Sequence, residues 1–99
     1  MIKPIKFDQK NFKIKGDKIK SGIVELKKGE SVGEHTTCDG EEILYILEGE
    51  ASVEVEGRKI QVPKNHAYFI NQEKVHNVTN NLEENLVYLY VVGGKTCTK

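Results

Sequence analysis

Glycine or asparagine interrupts this 99-residue chain every few positions, and this punctuation constrains the fold more than any other feature. The interruptions separate short β-type runs, and no stretch keeps a helical period for more than about one turn. Many short strands at such spacing are typical of a sandwich or barrel. We therefore expect one all-β domain over residues 1–99, with at most one helical turn.

Eight runs carry the strand signal, several of them with the alternation of a half-buried strand. They cover residues 12–15, 18–26, 43–47, 50–55, 59–62, 67–70, 75–79 and 86–92. Glu56-Gly57 indicates a hairpin turn between the fourth and fifth runs. Lysines alternate with apolar residues in the first run, which is the pattern of a protected edge strand.

The run Ile43–Leu47 differs from its neighbours because it is apolar on both faces. A strand without a polar face is usually buried on both sides. In a small antiparallel protein one side packs into the core, and the other side needs a cover. A second copy of the chain would supply that cover, so we expect a homodimer.

Fifteen basic and fifteen acidic residues cancel, but residues 1–20 carry seven lysines against two aspartates. These lysines stand singly among apolar residues without an aromatic platform, so we expect no nucleic-acid partner. No apolar run is long enough for a membrane span or a signal peptide, which predicts a cytoplasmic protein without a membrane partner. Cys38 and Cys97 are not expected to form a disulfide framework in that compartment, and Cys97 reads as a bystander in a polar tail.

His35, Glu42 and His76 are the candidate site residues. Side chains alternate along a strand, so Glu42 shares a face with Leu44 and Ile46. A carboxylate on that core face is costly unless it is paired or binds a metal. Two imidazoles and a carboxylate on three strands would make a three-point ligand set. In the alternative interpretation both histidines are ordinary part-buried residues bonded to backbone, and Glu42 lies at a strand end in water.

The spacing around these residues resembles the first motif of the cupin superfamily: Gly, five residues, His-x-His, three or four residues, Glu, six residues, Gly. Here Gly29 and five further residues precede His35, and Glu42 is followed by six residues and Gly49. Thr37 stands where the family has its second histidine.

The family's second motif is Gly, five residues, Pro-x-Gly, two residues, His, three residues, Asn. The chain matches it at His76 and Asn80, and it has Asn65, Asn71 and Glu73 in place of the glycines and the proline. The resemblance implies a double-stranded β-helix, a jelly-roll-like barrel. It also implies a divalent metal (Fe, Mn, Ni or Zn) at His35, Glu42 and His76, with Thr37 at the missing fourth-ligand position.

Two functions stay open at this point. The first is a small cupin whose divalent metal binds or transforms a small-molecule metabolite, and the sequence does not decide whether it is an enzyme. The second is a metal-free cupin that binds a sugar or metabolite without catalysis. Asn80, Tyr68 and Tyr88 are candidates to line the barrel, and His66 is expected in an exposed turn after Pro63.

Overall fold

A computed structural model describes residues 4–71 and 74–94 of the chain. Its elements are β1 (Lys13–Lys15), β2 (Ile19–Leu26), β3 (Glu41–Glu48), β4 (Ala51–Val55), β5 (Arg58–Val62), β6 (Ala67–Ile70), β7 (His76–Thr79) and β8 (Leu86–Gly93). These two ranges hold strands and turns only, so they offer no helix able to traverse a bilayer. The all-β prediction is confirmed, and every predicted strand is present with bounds shifted by two residues at most.

Two antiparallel sheets face each other. The large sheet has the order β1-β2-β8-β3-β6, and the small sheet has the order β5-β4-β7. The lysine-rich strand β1 lies at the edge of the large sheet, as its alternation predicts. Since β3 and β8 lie in the middle of that sheet, their inward side chains form the centre of the barrel.

The core lies between the sheets and is built by alternation. Five apolar side chains are fully buried there: Leu44 and Ile46 of β3, Val53 of β4, Val78 of β7 and Leu86 of β8. Each of these apolar side chains contributes about 1.5–3 kcal/mol by leaving water. The same alternation decides which polar residues face the interior, because parity does not depend on side-chain chemistry.

The turn between β4 and β5 follows the prediction. Glu56 and Gly57 have φ angles of 51° and 82°, so both central residues are left-handed. Positive φ at both positions is what a two-residue hairpin turn matched to strand twist requires. This turn joins β4 to β5, the edge strand of the small sheet.

The large sheet also presents an apolar surface to the outside. This outer apolar face consists of Ile23, Ile43, Phe69, Leu89 and Val91, which are cross-strand neighbours. Ile43 and Phe69 are about half exposed, at 47% and 54%. The outward half of the doubly apolar strand therefore has no cover within the described residues, and the question of a second copy stays open.

Candidate metal centre

His35 and His76 are held together by their own backbones. The amide of His35 donates to the carbonyl of His76 at 2.9 Å, and the amide of His76 donates back at 2.8 Å. Residues that exchange both bonds lie opposite each other and point their side chains to the same face. The two imidazole rings consequently meet edge to face with their centroids 4.2 Å apart.

The sequence interpretation placed the three candidates on three strands, and for His35 this is wrong. His35 lies in an irregular segment that follows β7 only through isolated bridges, at Ser31–Thr79 and at His35–His76. A further bond from the amide of Gly33 to the side chain of Asn77 steadies the segment. An irregular backbone can still place one side chain well when a bridge holds that residue.

Glu42 enters the site from the opposite sheet. It follows the first residue of β3 and points inward with Leu44 and Ile46, as parity predicts. Glu42 is 6% exposed, and its carboxylate accepts a hydrogen bond of 3.0 Å from Nε2 of His76. This pairing offsets the cost of burying a carboxylate on a core face.

Ligand atoms of His35, Glu42 and His76 all lie within 4.8 Å of one another, so the cluster could hold a metal ion. Both histidines use Nδ1 for a backbone contact, His35 to the carbonyl of Gly33 at 2.9 Å and His76 to that of Lys74 at 3.0 Å. Such contacts fix the tautomer and leave Nε2 to face the cluster. The sequence predicts this set of three residues, and the structure brings all three together.

The pKa of His76 is raised above its ordinary value. Burial alone would lower this pKa, but the hydrogen bonds to Glu42 and to the Lys74 carbonyl, together with the charge of Glu42, outweigh it. Protonated at both nitrogens, the ring donates to the carboxylate and to the carbonyl at once. When the ring is protonated at both nitrogens, the proton between Nε2 and Glu42 lies between two of the three candidate metal ligands.

Thr37 serves a tight turn. Its hydroxyl donates to the carbonyl of Gly40 at 2.7 Å, and the amide of Gly40 donates to the Thr37 carbonyl at 2.9 Å. The side chain is nearly buried, yet it still lines the cavity beside the cluster. Its hydroxyl hydrogen is therefore committed to the turn, and only the weakly coordinating lone pairs of the oxygen remain.

Cys38 is the first central residue of this turn, with a φ of 57°. It is disulfide-bonded, contrary to the expectation from the sequence, and Cys97 lies outside the described residues. Disulfides are rare in reducing compartments. The cysteine argument for a cytoplasmic location therefore falls away, and the location stays a prediction.

A cavity of about 300 Å³ adjoins the cluster. Its apolar wall is formed by Val24, Val32 and Val92. Its polar lining includes Lys20, Tyr88 and Tyr90 in addition to His35 and Glu42 of the cluster. At about 30 Å³ per molecule of liquid water, such a space corresponds to roughly ten waters. It is the size of a small metabolite.

Gly22 lets the ring of Tyr90 cross strand β2. A Cβ at Gly22 would lie 2.9 Å from the Tyr90 hydroxyl oxygen and 3.1 Å from two ring carbons. Gly22 and Tyr90 are paired across β2 and β8, so the ring lies over its partner's backbone. A glycine in a strand interior often marks such an approach.

Of the other residues considered from the sequence, Asn80 is fully buried away from the cavity. Its Nδ2 donates to the carbonyls of Leu26 and Glu84, and its Oδ1 accepts from the amide of Leu82. Asn80 thus connects the end of β2 to the loop that precedes β8. Tyr68 packs against the core, and His66 is exposed, as expected.

The second motif departs from the family pattern at three positions. Asn65 replaces a glycine and has a φ of 66°, a left-handed conformation that asparagine tolerates better than most residues. Asn71 is exposed, and Glu73 lies outside the described residues. The substitution at Asn65 therefore preserves the backbone conformation that a glycine would adopt.

Lys20 and Tyr90 line the cavity although neither was singled out from the sequence. Lys20 shares its face of β2 with Val24 and Leu26, so alternation along the predicted strand is enough to place it on that face. From the sequence, Lys20 is only one of the seven lysines of residues 1–20, and nothing there distinguishes it from a solvated side chain. Tyr90 carries no signal of its own, because periodicity does not distinguish an inward side chain that packs in the core from one that lines a cavity.

Comparison with protein families gives a match to the model described as Cupin domain over residues 22–92. The tetracenomycin polyketide synthase protein TcmJ of Streptomyces glaucescens is 34% identical over 59 residues. The matched segment is 60% of this chain and 40% of that protein, so the chain spans well under half of its relative.

Solved structures share the fold at low sequence identity. A conserved Klebsiella pneumoniae protein with a double-stranded β-helix domain superposes with a TM-score of 0.79 at 15% identity, covering 86% of this chain and 70% of that chain. A predicted oxalate decarboxylase of Thermotoga maritima gives 0.69 at 22% identity, with 76% and 79% covered. At such identities the likeness concerns the fold alone. It confirms the expected double-stranded β-helix.

Proposed function

The chain belongs to the cupin family, and we propose that it binds one divalent metal ion through His35, Glu42 and His76 and holds a small metabolite beside it. One observation carries the proposal: three ligand atoms, from β3, from β7 and from the segment bridged to β7, converge within 4.8 Å. The Nδ1 contacts of both histidines support it, because metal-binding histidines almost always donate their other ring N–H.

The donor set fits such an ion. Two imidazoles and one carboxylate suit Fe(II), Mn, Ni or Zn, and only three protein ligands leave positions open. The committed hydroxyl of Thr37 keeps the fourth family position weak. When bound, the ion supplies a Lewis acid or, as iron, a centre that activates dioxygen.

The chain's own residues bind and orient the metabolite. The three valines of the cavity exclude water from one side of it, and Glu42 and His35 border the other side. Tyr88 is almost fully buried, and burial followed by the charge of Glu42 raises the pKa of its phenol, so it stays a neutral donor.

The second candidate is a metal-free binding site for a sugar or metabolite. The specific observation in its favour is the hydrogen bond between His76 and Glu42, which satisfies both groups without an ion. In that case the cavity and its hydroxyl groups would bind the ligand alone.

A calorimetric titration with Zn, Ni, Mn and Fe(II) decides between them. We expect one site per chain in the wild type and loss of binding in His35→Ala, which removes an exposed ligand at little cost to folding. His66→Ala is the matched control, because His66 makes the same type of Nδ1 contact, to the carbonyl of Lys64 at 3.0 Å, far from the cluster. Absence of saturable binding, or equal binding by both variants, would favour the metal-free alternative.

We also propose that two copies pair through the outer apolar face. Its five side chains are contiguous across β2, β8, β3 and β6, and Ile43 and Phe69 lie half exposed in it. Obligate homodimer interfaces resemble a domain core cut in half. A second copy of this face would bury both patches at once.

A further inference from the structure

Lys20 lies on a face of β2 that is otherwise apolar, and it is exposed at the rim of the cavity. It is paired with Val92 across β2 and β8, and both residues line the cavity. The same face of β2 continues with Gly22, Val24 and the buried Leu26. A lysine at this register position places a positive charge at the rim of the cavity.

A second lysine stands opposite the first. Lys15 of the edge strand is the register partner of Lys20, so their side chains share one face. Like charges directly opposite each other in a sheet destabilise it. Neither ammonium group forms an ion pair with a carboxylate among residues 4–71 and 74–94. Both lysines are exposed to water, so together they raise the positive potential at the cavity rim, where an anion would lie beside Lys20.

The floor of the cavity offers an unused hydrogen-bond donor. Tyr88 is only 3% exposed and lines the cavity, yet its hydroxyl has no hydrogen-bond partner in the part of the chain that the structure describes. No fully sealed side-chain oxygen or nitrogen there lacks a partner, so this hydroxyl opens onto the cavity. A ligand in the cavity can therefore accept a hydrogen bond from this phenol in place of water.

We propose that the cavity binds a small carboxylate that carries a second oxygen and a short apolar branch. Its carboxylate pairs with Lys20, its other oxygen accepts from Tyr88, and its branch packs on the valine wall. Lys15 adds positive potential at the rim. A divalent ion on the cluster leaves one net positive charge after Glu42, which also favours an anion. The inference rests on the proposed function for the position of that ion only.

Sugars and neutral metabolites fit these residues less well. A sugar presents many hydroxyl groups, whereas one wall of the cavity is made of valine side chains. A neutral ligand would gain nothing from the positive potential of Lys15 and Lys20 at the rim. The volume of about 300 Å³ lies at the lower end of small-molecule sites, which excludes long or polycyclic acids.

The test is a calorimetric titration with 3-methyl-2-oxobutanoate and with its uncharged methyl ester, on zinc-loaded and on chelator-treated protein. We expect the wild type to bind the acid about tenfold more tightly than the ester. Lys20→Gln should weaken binding of the acid about fivefold and leave the ester unchanged. Lys59→Gln, at an exposed position of the small sheet, should change neither. Tyr88→Phe should weaken both probes, since each keeps the oxo group.

Equal binding of acid and ester, equal behaviour of the Lys20 and Lys59 variants, or no binding of the acid up to about 10 mM would overturn the inference. These failures are distinct from failure of the metal site. A preference for the acid that depends on Lys20 and persists in metal-free protein supports the carboxylate site even if no metal binds. Metal binding without that preference overturns the carboxylate site and leaves the metal proposal standing.

Discussion

His35 and His76 exchange both of their backbone hydrogen bonds although they are far apart in the chain, and their imidazoles meet at 4.2 Å as a result. The pair holds one histidine from an irregular segment against one from a strand. Their relative position therefore depends on main-chain bonds that a side-chain substitution leaves in place. His35→Ala should therefore remove a metal ligand without disturbing the fold.

The stability of the metal-free protein should fall as pH rises from slightly acid to mildly alkaline values. The folded state raises the pKa of His76, so it binds that proton more tightly than the unfolded chain does. The resulting stabilisation is complete below the ordinary histidine pKa of about 6.5 and disappears above the raised folded value. Urea denaturation of chelator-treated protein at a series of pH values measures the free energy of unfolding.

Glu42→Gln is the control for this pH dependence, because it removes the charge that favours the His76 imidazolium. The fall in stability across the histidine range should become smaller in that variant. A wild-type stability that is flat or rises over the same range would contradict the assignment. Metal affinity should change in the opposite sense and increase with pH, since the ion must displace the proton.

Thr37→His should tighten metal binding and at the same time lower the melting temperature of the metal-free protein. The new imidazole would add a fourth ligand, but it would lose the hydrogen bond to the Gly40 carbonyl inside a buried turn. Thr37→Val removes the same bond without adding a ligand, at a cost of about 1 kcal/mol. Calorimetric titration and thermal denaturation of the two variants separate the effects. A histidine variant with unchanged metal affinity would contradict the ligand geometry.

Gly49→Ala should destabilise the fold by about 2–4 kcal/mol. Gly49 has a φ of 80°, and a Cβ there would lie 2.5 Å from the carbonyl oxygen of Asn85. Gly57→Ala is a matched control with a φ of 82° and nothing within 4 Å of the added carbon, so it should lose only about 1–2 kcal/mol. Chemical denaturation compares them. Equal losses would mean that the approach of Asn85 is unimportant.

Phe69→Lys should convert the proposed dimer into a monomer. The substitution places a charge in the outer apolar face at a position that is 54% exposed in the isolated chain, so the monomer should fold normally. Val75→Lys changes a similarly exposed valine outside this face and should leave the dimer intact. Sedimentation velocity at micromolar concentration distinguishes the two states. A monomeric wild type would refute the pairing.

The strands could be predicted from the sequence because alternation and turn residues are local signals. Glu42 shows how far this reaches, since parity alone placed it on the core face with Leu44 and Ile46. Alternation also places Lys20 on the same face of β2 as Val24. In the sequence, however, it is one of seven lysines within twenty residues, and such lysines are usually solvated. Its position at the cavity rim becomes meaningful only when Val92 is known to be its partner.

Other features were beyond the sequence because they depend on pairing between distant segments. The bridge between His35 and His76 requires a segment without strand periodicity to run beside β7. The role of Thr37 required the turn to Gly40, whose geometry places Cys38 in a left-handed conformation. The family spacing predicts which histidines belong to the site, but it does not predict the backbone hydrogen bonds that hold them together.

The cluster takes its carboxylate from the large sheet and its two imidazoles from the segments of the small sheet. An ion bound there would link the two layers. Any separation of the sheets would have to break at least one of its bonds, so the ion would slow the opening of the barrel. Amide hydrogen exchange in β3 and β7 would then measure how strongly the ion holds the two sheets together.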